Sequence, residues 1–279
     1  MIRIVTDSTS DLSPDRAAEL GVDVLPLSVH FGEEAFRDGV DITTAEFYGR
    51  LARVDALPTT SQVNPEAFES LFRSYVEQGD QVLGIFLSSD MSGTCQSALI
   101  ARDMVGGPDI AVVDSQTVTF ALGLLVEAAC ALRDRGLSLA ELERETRALA
   151  GRVKLLAVVD TLKYLKMGGR INAATAVVGG LLGISPIITV EHGLVEAIGK
   201  ARGRRAAFQW IAKHMEQYPP DLSLPVVFGH SNAPEARDEC MAFFYSAVDG
   251  AQTLTSDIGA VVGTHAGPGA AGLAYFVQA

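Results

Sequence analysis

Four hydroxyl-rich clusters are the places where this chain could do chemistry. The first is Ser88-Ser89-Asp90-Met91-Ser92-Gly93-Thr94, set between an apolar run and an amphipathic stretch. A buried strand should end there and a helix begin. In open parallel sheets, ligands gather outside the carboxyl ends of the strands. Ser92 and Thr94 offer hydroxyls, and Gly93 lets the backbone come close. The free N–H groups of the helix N-terminus point outward, which suits a carboxylate or a phosphate. The plainer alternative is that Ser92 or Thr94 only caps the helix.

The second cluster is Thr59-Thr60-Ser61-Gln62, read as a loop before a helix that starts at Pro65. The third is Asp7-Ser8-Thr9-Ser10-Asp11, at the end of the first strand. The fourth is Gly263-Thr264-His265-Ala266-Gly267-Pro268-Gly269, read as a tight glycine-rich loop in which His265 could donate to an anion. An ordinary polar loop, a helix cap and a structural histidine are the respective alternatives. None of these clusters supplies an activated nucleophile or a carboxylate pair. Together they read as a neutral anion clamp that binds without reacting. Lys200-Ala201-Arg202-Gly203-Arg204-Arg205 is the one dense basic run. It is either a solvated helix entry or a landing site for a partner or a phosphate group.

Several chemistries are excluded. The chain has no G-x-x-x-x-G-K-[ST] phosphate loop, no H-E-x-x-H and no G-x-S-x-G. Gly267-Pro268-Gly269-Ala270-Ala271-Gly272 matches G-x-G-x-x-G, but only seven residues follow it, too few for a βαβ unit. Cys95, Cys130 and Cys240 are far apart and odd in number, which predicts buried reduced thiols rather than disulfides or a zinc site. The net charge of −12 argues against nucleic acid and against anionic lipid headgroups. The opening MIRIVTDSTSD turns polar too soon for a secretory signal. The uncharged stretch from Ile171 to Val190 contains Asn172, Ser185, Pro186 and three glycines, and it reads as helix, loop and strand rather than a membrane span. The expectation is a cytoplasmic protein without cofactor or metal.

The elements that must position these clusters follow from periodicity. In the first part, apolar runs at Ile2–Val5, Val22–His30, Gln81–Leu87 and Ile110–Val113 alternate with amphipathic stretches. These run from Ser13-Pro14, from Asn64-Pro65 to Gln78, over Cys95–Met104, to Asp134 and over Leu139–Ala150. That alternation predicts an α/β unit with a mainly parallel sheet. From Leu155 onward, a hairpin signal at Pro186–Val190, His192-Gly193 and Leu194–Gly199 is mixed with helices at Ile171–Leu182, Arg205–Gln217 and Pro234–Ala247. Further strands at Val226–Gly229, Gln252–Ser256 and Ala271–Gln278 predict an α+β unit with a mixed or antiparallel sheet. The expected division is residues 1–152 and 153–279.

These motifs, in this order, resemble the DegV family of bacterial fatty-acid-binding proteins. The resemblance is carried by Ile4-Val5-Thr6-Asp7-Ser8, by Pro58-Thr59-Thr60-Ser61-Gln62 and by Ser92-Gly93-Thr94. It is strongest in Asp160-Thr161-Leu162-Lys163-Tyr164-Leu165-Lys166-Met167-Gly168-Gly169-Arg170-Ile171. The Arg202–Arg205 run and His265-Ala266-Gly267-Pro268-Gly269 complete it. The resemblance implies a small excursion after the second strand and one long-chain fatty acid buried between the two domains. It further implies a non-catalytic subunit that presents the carboxylate to a separate ATP-binding kinase subunit, which forms an acyl phosphate. The lack of a phosphate loop agrees with that division. By resemblance, Thr60, Ser61, Ser92, Gly93, Thr94 and His265 hold the carboxylate, and Arg202 and Arg204 lie where the kinase docks. Two positions depart from the family pattern. Ser185-Pro186 stands where many members have Lys-Pro, and the helix after Asp114 begins Thr119-Phe120-Ala121-Leu122-Gly123, bulkier than the family's small-residue pattern, so that Phe120 would shorten or reshape a ligand channel. The rival reading is a stand-alone enzyme acting on a small phosphorylated or carboxylated metabolite, and a third is a ligand sensor that only docks other proteins.

Overall fold

The structure is a computed structural model that describes residues 1–172 and 183–279. The first part runs β1 (Ile2–Asp7), α1 (Pro14–Leu20), β2 (Val22–Leu25), β3 (Ser28–Phe31), β4 (Glu34–Arg37), α2 (Thr44–Leu51), β5 (Thr59–Ser61), α3 (Pro65–Glu77), β6 (Gln81–Phe86), α4 (Thr94–Val105), β7 (Ile110–Asp114), α5 (Phe120–Asp134) and α6 (Leu139–Ala150). The helix starts are locally encoded. Ser13 and Asn64 each accept the backbone N–H three residues on, with a proline in the first turn. Thr43 with Glu46 and Ser138 with Glu141 form capping boxes.

Strands β2, β1, β6 and β7 form a parallel sheet in that order. Successive residues face opposite sides. Val5, Val82, Phe86 and Val112 pack with α3 and α4, where Phe68 meets Phe86 edge-on at 4.9 Å. Ile4, Leu83, Ile85 and Val113 pack with α5 and α6. The Val22–His30 run is not one strand. Pro26, which has no N–H for a ladder, interrupts it, and β3 turns away into a small antiparallel sheet ordered β4-β3-β5.

The second part runs β8 (Val153–Val158), α7 (Lys163–Gly168), β9 (Ile184–Glu191), β10 (Leu194–Arg202), α8 (Arg204–Met215), β11 (Val226–His230), α9 (Pro234–Phe244), β12 (Thr253–Asp257), α10 (Ala260–Ala266) and β13 (Ala271–Phe276). Its six strands form a mixed sheet ordered β10-β9-β8-β13-β11-β12, in which only β11 and β12 pair in parallel. Leu156, Val158, Ile187 and Tyr275 face α8 and α9, while Leu155, Ala157 and Ile188 face α5. The fold is therefore α/β, a parallel-sheet part followed by a mixed-sheet part. Most of the expected helix Ile171–Leu182 lies outside the described residues. No helix among them is long and apolar enough to cross a membrane.

Helix α5 explains how the two sheets are joined. Ten of its fifteen residues are buried, apolar on nearly every side, as expected of a helix enclosed by protein. It touches β1 of the parallel sheet and β8, β11 and β13 of the mixed one. The tip of the β9–β10 hairpin adds a polar tie, because the buried Ser88 hydroxyl donates to the Gly193 carbonyl at 2.7 Å. Both sheets thus present loops and strand ends to one interior space.

Candidate functional site

A cavity of about 300 Å³ lies in that space. One part of its wall is polar: Thr60, Ser61, Gln62, Ser92, Arg170 and His265. The rest is mostly apolar, with Leu27, Leu87, Leu155, Ile188, Val195 and Val261 among its residues. That division, a few convergent polar groups on an apolar chamber, suits an amphipathic ligand with one charged end.

Thr60 is not in a loop. It sits on β5, opposite Val29 of β3, which places the hydroxyl at the cavity. The three-residue strand escapes recognition because Thr59-Thr60-Ser61 is too short to show a period. Thr60 Oγ1 lies 2.9 Å from His265 Nε2, a contact 205 residues apart in sequence. The neighbouring Ser61 lines the cavity, and its hydroxyl lies 2.8 Å from His30 Nε2. Gln62 reaches the other way, donating to Ser97 on α4 at 3.0 Å.

His265 is also not in a glycine loop. It is in the last turn of α10, a helix of seven residues. Its N-terminus is held from far away, since Asp38 accepts the Ala260 and Val261 amides at 3.0 and 3.2 Å. His265 Nδ1 is buried without a hydrogen-bond partner and closed in by Gly168, where a Cβ would overlap the ring. The proton is therefore placed on Nε2, which donates to Thr60 Oγ1 and leaves the threonine hydroxyl hydrogen free for the cavity. Burial, helped by the charge on Arg170, lowers the His265 pKa to about 4. The ring is neutral at physiological pH.

The strand β6 delivers Ser92-Gly93-Thr94 to the cavity, with Gly93 as the N-cap of α4 and no side chain capping that helix. Ser92 and Gly93 line the wall. Thr94 does not: it is fully buried, and its Oγ1 lies 3.0 Å from Ser92 Oγ, so it braces Ser92 from behind. Gly93 is needed for proximity, because a Cβ there would overlap the Gln62 side chain. From the third cluster, Thr9 lines the cavity while Asp7 stands behind it, accepting from Thr9 N at 2.9 Å and Thr9 Oγ1 at 2.6 Å. Burial raises the Asp7 pKa to about 6.

The clamp is not wholly neutral. Arg170, in the segment after α7, lines the same cavity and is the one arginine or lysine among its described lining residues. Its Nη1 donates to the Gly168 carbonyl at 2.6 Å and its Nε to the Met91 carbonyl at 3.2 Å. The remaining N–H groups are left for a ligand. No period or spacing marks Arg170. It reaches the cavity because α7 ends at Gly169 in the left-handed conformation, which turns the chain back.

The entry to α5 forms another part of the wall. Val118, Thr119 and Phe120 all line the cavity. Thr119 has φ 61° and ψ −150°, a conformation that costs a non-glycine residue about 1–3 kcal/mol. Its hydroxyl donates to Asp11 Oδ2 at 2.6 Å, which holds it there.

The two candidate docking arginines differ. Arg202 ends β10, is exposed, and has no ion-pair partner among the described residues. Arg204 begins α8 and lies within 3.8 Å of Asp160 and 3.6 Å of Glu239. Among the described residues no three His, Cys, Asp or Glu side chains group as metal ligands. Cys95, Cys130 and Cys240 are buried free thiols, their pKa values pushed up to about 12 by burial.

Known proteins share this fold. A family model described as "Uncharacterised protein, DegV family" matches residues 1–278. A DegV domain-containing protein of Caldanaerobacter subterraneus subsp. tengcongensis is 37% identical over 273 residues, covering 98% of this chain and 97% of that protein. Among solved structures, a fatty-acid-binding DegV family protein from Thermus thermophilus superposes with a TM-score of 0.90 at 35% identity, covering 99% of each chain. A stearic-acid-binding protein from Eubacterium ventriosum superposes with a TM-score of 0.89 at 31% identity, covering 99% of this chain and 98% of that one. By full-length family match and by fold alike, this chain belongs to the DegV family.

Proposed function

We propose that this chain binds one long-chain fatty acid, with the carboxylate among Thr60, Ser61, Ser92, Gly93, Arg170 and His265 and the tail in the apolar chamber. The observation that carries this is the division of the cavity wall into one polar group and an apolar remainder. The fatty-acid-binding relatives support the choice of ligand. Burial of a chain at ~0.8 kcal/mol per methylene supplies affinity, and the polar group supplies orientation. On this reading the ligand lies between the parts 1–152 and 153–279. A small phosphorylated metabolite would leave the apolar wall without purpose.

The experiment is organic extraction of the purified protein followed by mass spectrometry. The expected result is one fatty acid per chain. A polar metabolite in its place, with no lipid, would overturn the proposal.

The proposed role beyond binding is presentation. The bound carboxylate oxygen attacks the terminal phosphorus of ATP held by a separate kinase subunit. ADP leaves, and an acyl phosphate remains on this chain. The exposed Arg202, a cation on a chain of net charge −12, is the proposed contact for that acidic or phosphate-bearing partner, with Arg204 beside it. Arg202→Ala is expected to leave fatty-acid affinity unchanged and to weaken kinase association about tenfold, the scale of one charged contact of about 1.4 kcal/mol. Calorimetric titration of lipid and of kinase separates the two effects. Lost lipid binding with intact kinase association is the opposite outcome and refutes the docking role.

A further inference from the structure

A second, larger cleft of about 820 Å³ lies on the other side of the α5 entry. It is bordered by α1, β2, β12 and the N-terminal half of α5. Among the described residues, Phe120 is the one residue that lines both spaces. None of the polar residues assigned to the carboxylate borders the second cleft, so the two spaces meet at Phe120 and not at the carboxylate group.

We infer that Phe120 is the partition that closes the acyl chamber and sets the longest chain it accepts. The inference rests on the fatty-acid reading above. The residue is 2% exposed, and its ring is packed on one side against the mixed sheet. Gly229 on β11 seats it so closely that a Cβ there would overlap the ring. The backbone before it is fixed by the Thr119–Asp11 hydrogen bond and by the Leu122 and Gly123 amides, which donate to the Thr119 carbonyl at 2.8 and 3.1 Å. The chamber it closes is small for a ligand site, at the lower end of the range of about 300–1,000 Å³. A chain one methylene too long must displace a packed ring rather than slide past it.

The second cleft also gives the ligand its direction. Asp11, Asp23, Asp38, Glu127 and Asp257 border it, against Arg16 and Arg237. Such a surface repels a carboxylate, so the acid head belongs at Arg170 and the methyl end at Phe120. Beyond the partition, Leu12, Leu124, Val227 and Leu254 supply apolar wall. Removing the ring therefore opens room that a longer tail can occupy.

The test is affinity for a homologous series of straight-chain saturated fatty acids, measured on the delipidated full chain. Wild type, Phe120→Leu, Phe120→Ala and Phe120→Trp are compared, each with its melting temperature. Wild type is expected to show a sharp length limit. Phe120→Ala should raise affinity for the first acid beyond that limit by about 10- to 200-fold, the worth of one methylene in an apolar pocket. Phe120→Leu should move the limit less, and Phe120→Trp should move it toward shorter acids. Leu is the variant that decides if Ala does not fold. An unchanged length profile in Phe120→Leu and Phe120→Ala, with acids still bound, overturns the partition and leaves the binding function standing. If no acid of any length binds wild type, the fatty-acid reading itself fails.

Discussion

Arg170→Met is expected to weaken fatty-acid binding by about 100-fold, or about 3 kcal/mol, more than the loss of any one hydroxyl. Ser92→Ala or Thr60→Val removes one hydrogen bond to a charged group, about 1.5–2 kcal/mol at the lower end for such bonds, or roughly 10- to 30-fold. Arg170 brings both a charge and a planar fork of donors, two of which are tied to the Gly168 and Met91 carbonyls. Those ties aim the guanidinium before the ligand arrives, so little side-chain entropy is lost on binding. The guanidinium is half-buried, so salt should screen the interaction only in part. Arg170→Lys keeps the charge but cannot reproduce the fork, and its affinity should fall between the two. Direct titration of a fatty acid that fits the chamber, with the melting temperature as a folding control, measures all four variants. Wild-type affinity in a folded Arg170→Met would mean that the carboxylate sits elsewhere.

The cation also alters the chemistry expected of the clamp. A purely neutral clamp leaves the carboxylate nucleophilic but weakly held. A guanidinium holds it ionised and oriented at some cost in nucleophilicity. On the presentation reading, the kinase must then supply enough electrophilic activation at phosphorus to overcome that cost.

What could be read from the residues was local. The SGT loop was legible because β6 is a continuous apolar run and α4 an amphipathic one, so the junction between them is marked on both sides. The helix starts at Ser13 and Asn64 were legible because each cap residue is followed directly by proline. The T-x-x-E box at Thr43–Glu46 is an equally local signal for the start of α2. By contrast, α10 reads as a loop because Gly259, Gly263 and Gly267 punctuate it. It is helical because the Asp38 carboxylate accepts its first amides across more than 220 residues of chain. Arg170 could be quoted as part of a motif, but its place on the cavity wall depends on a turn at Gly169. Thr94, chosen for its hydroxyl, is spent inside the protein on Ser92. The clusters were found in sequence. Which atoms face the ligand was decided by long-range packing.

His265 carries the second large expectation, in acid rather than in affinity. Its folded pKa is lowered from 6.5 to about 4, chiefly by burial and further by Arg170. Between those values the unfolded chain binds a proton that the folded chain refuses, so stability falls as the pH drops. The full effect is about 3 kcal/mol, at 1.36 kcal/mol per unit. It is present above pH ~6.5 and lost by pH ~4. Asp7 works in the opposite direction. Its folded pKa is raised from 3.8 to about 6, so its buried charge is a burden at neutral pH that protonation relieves over much of the same range. The wild-type profile is therefore flattened, and only a difference between variants isolates the histidine. His265→Gln keeps a donor near the position of Nε2 for Thr60 but cannot take up the proton. The stability of wild type relative to His265→Gln should fall by about 3 kcal/mol between pH 7.5 and pH 4, as read from urea unfolding at each pH. A constant difference across that range would mean that His265 titrates normally. It would then be open to water, and the Thr60 hydroxyl would not be aimed by a neutral ring.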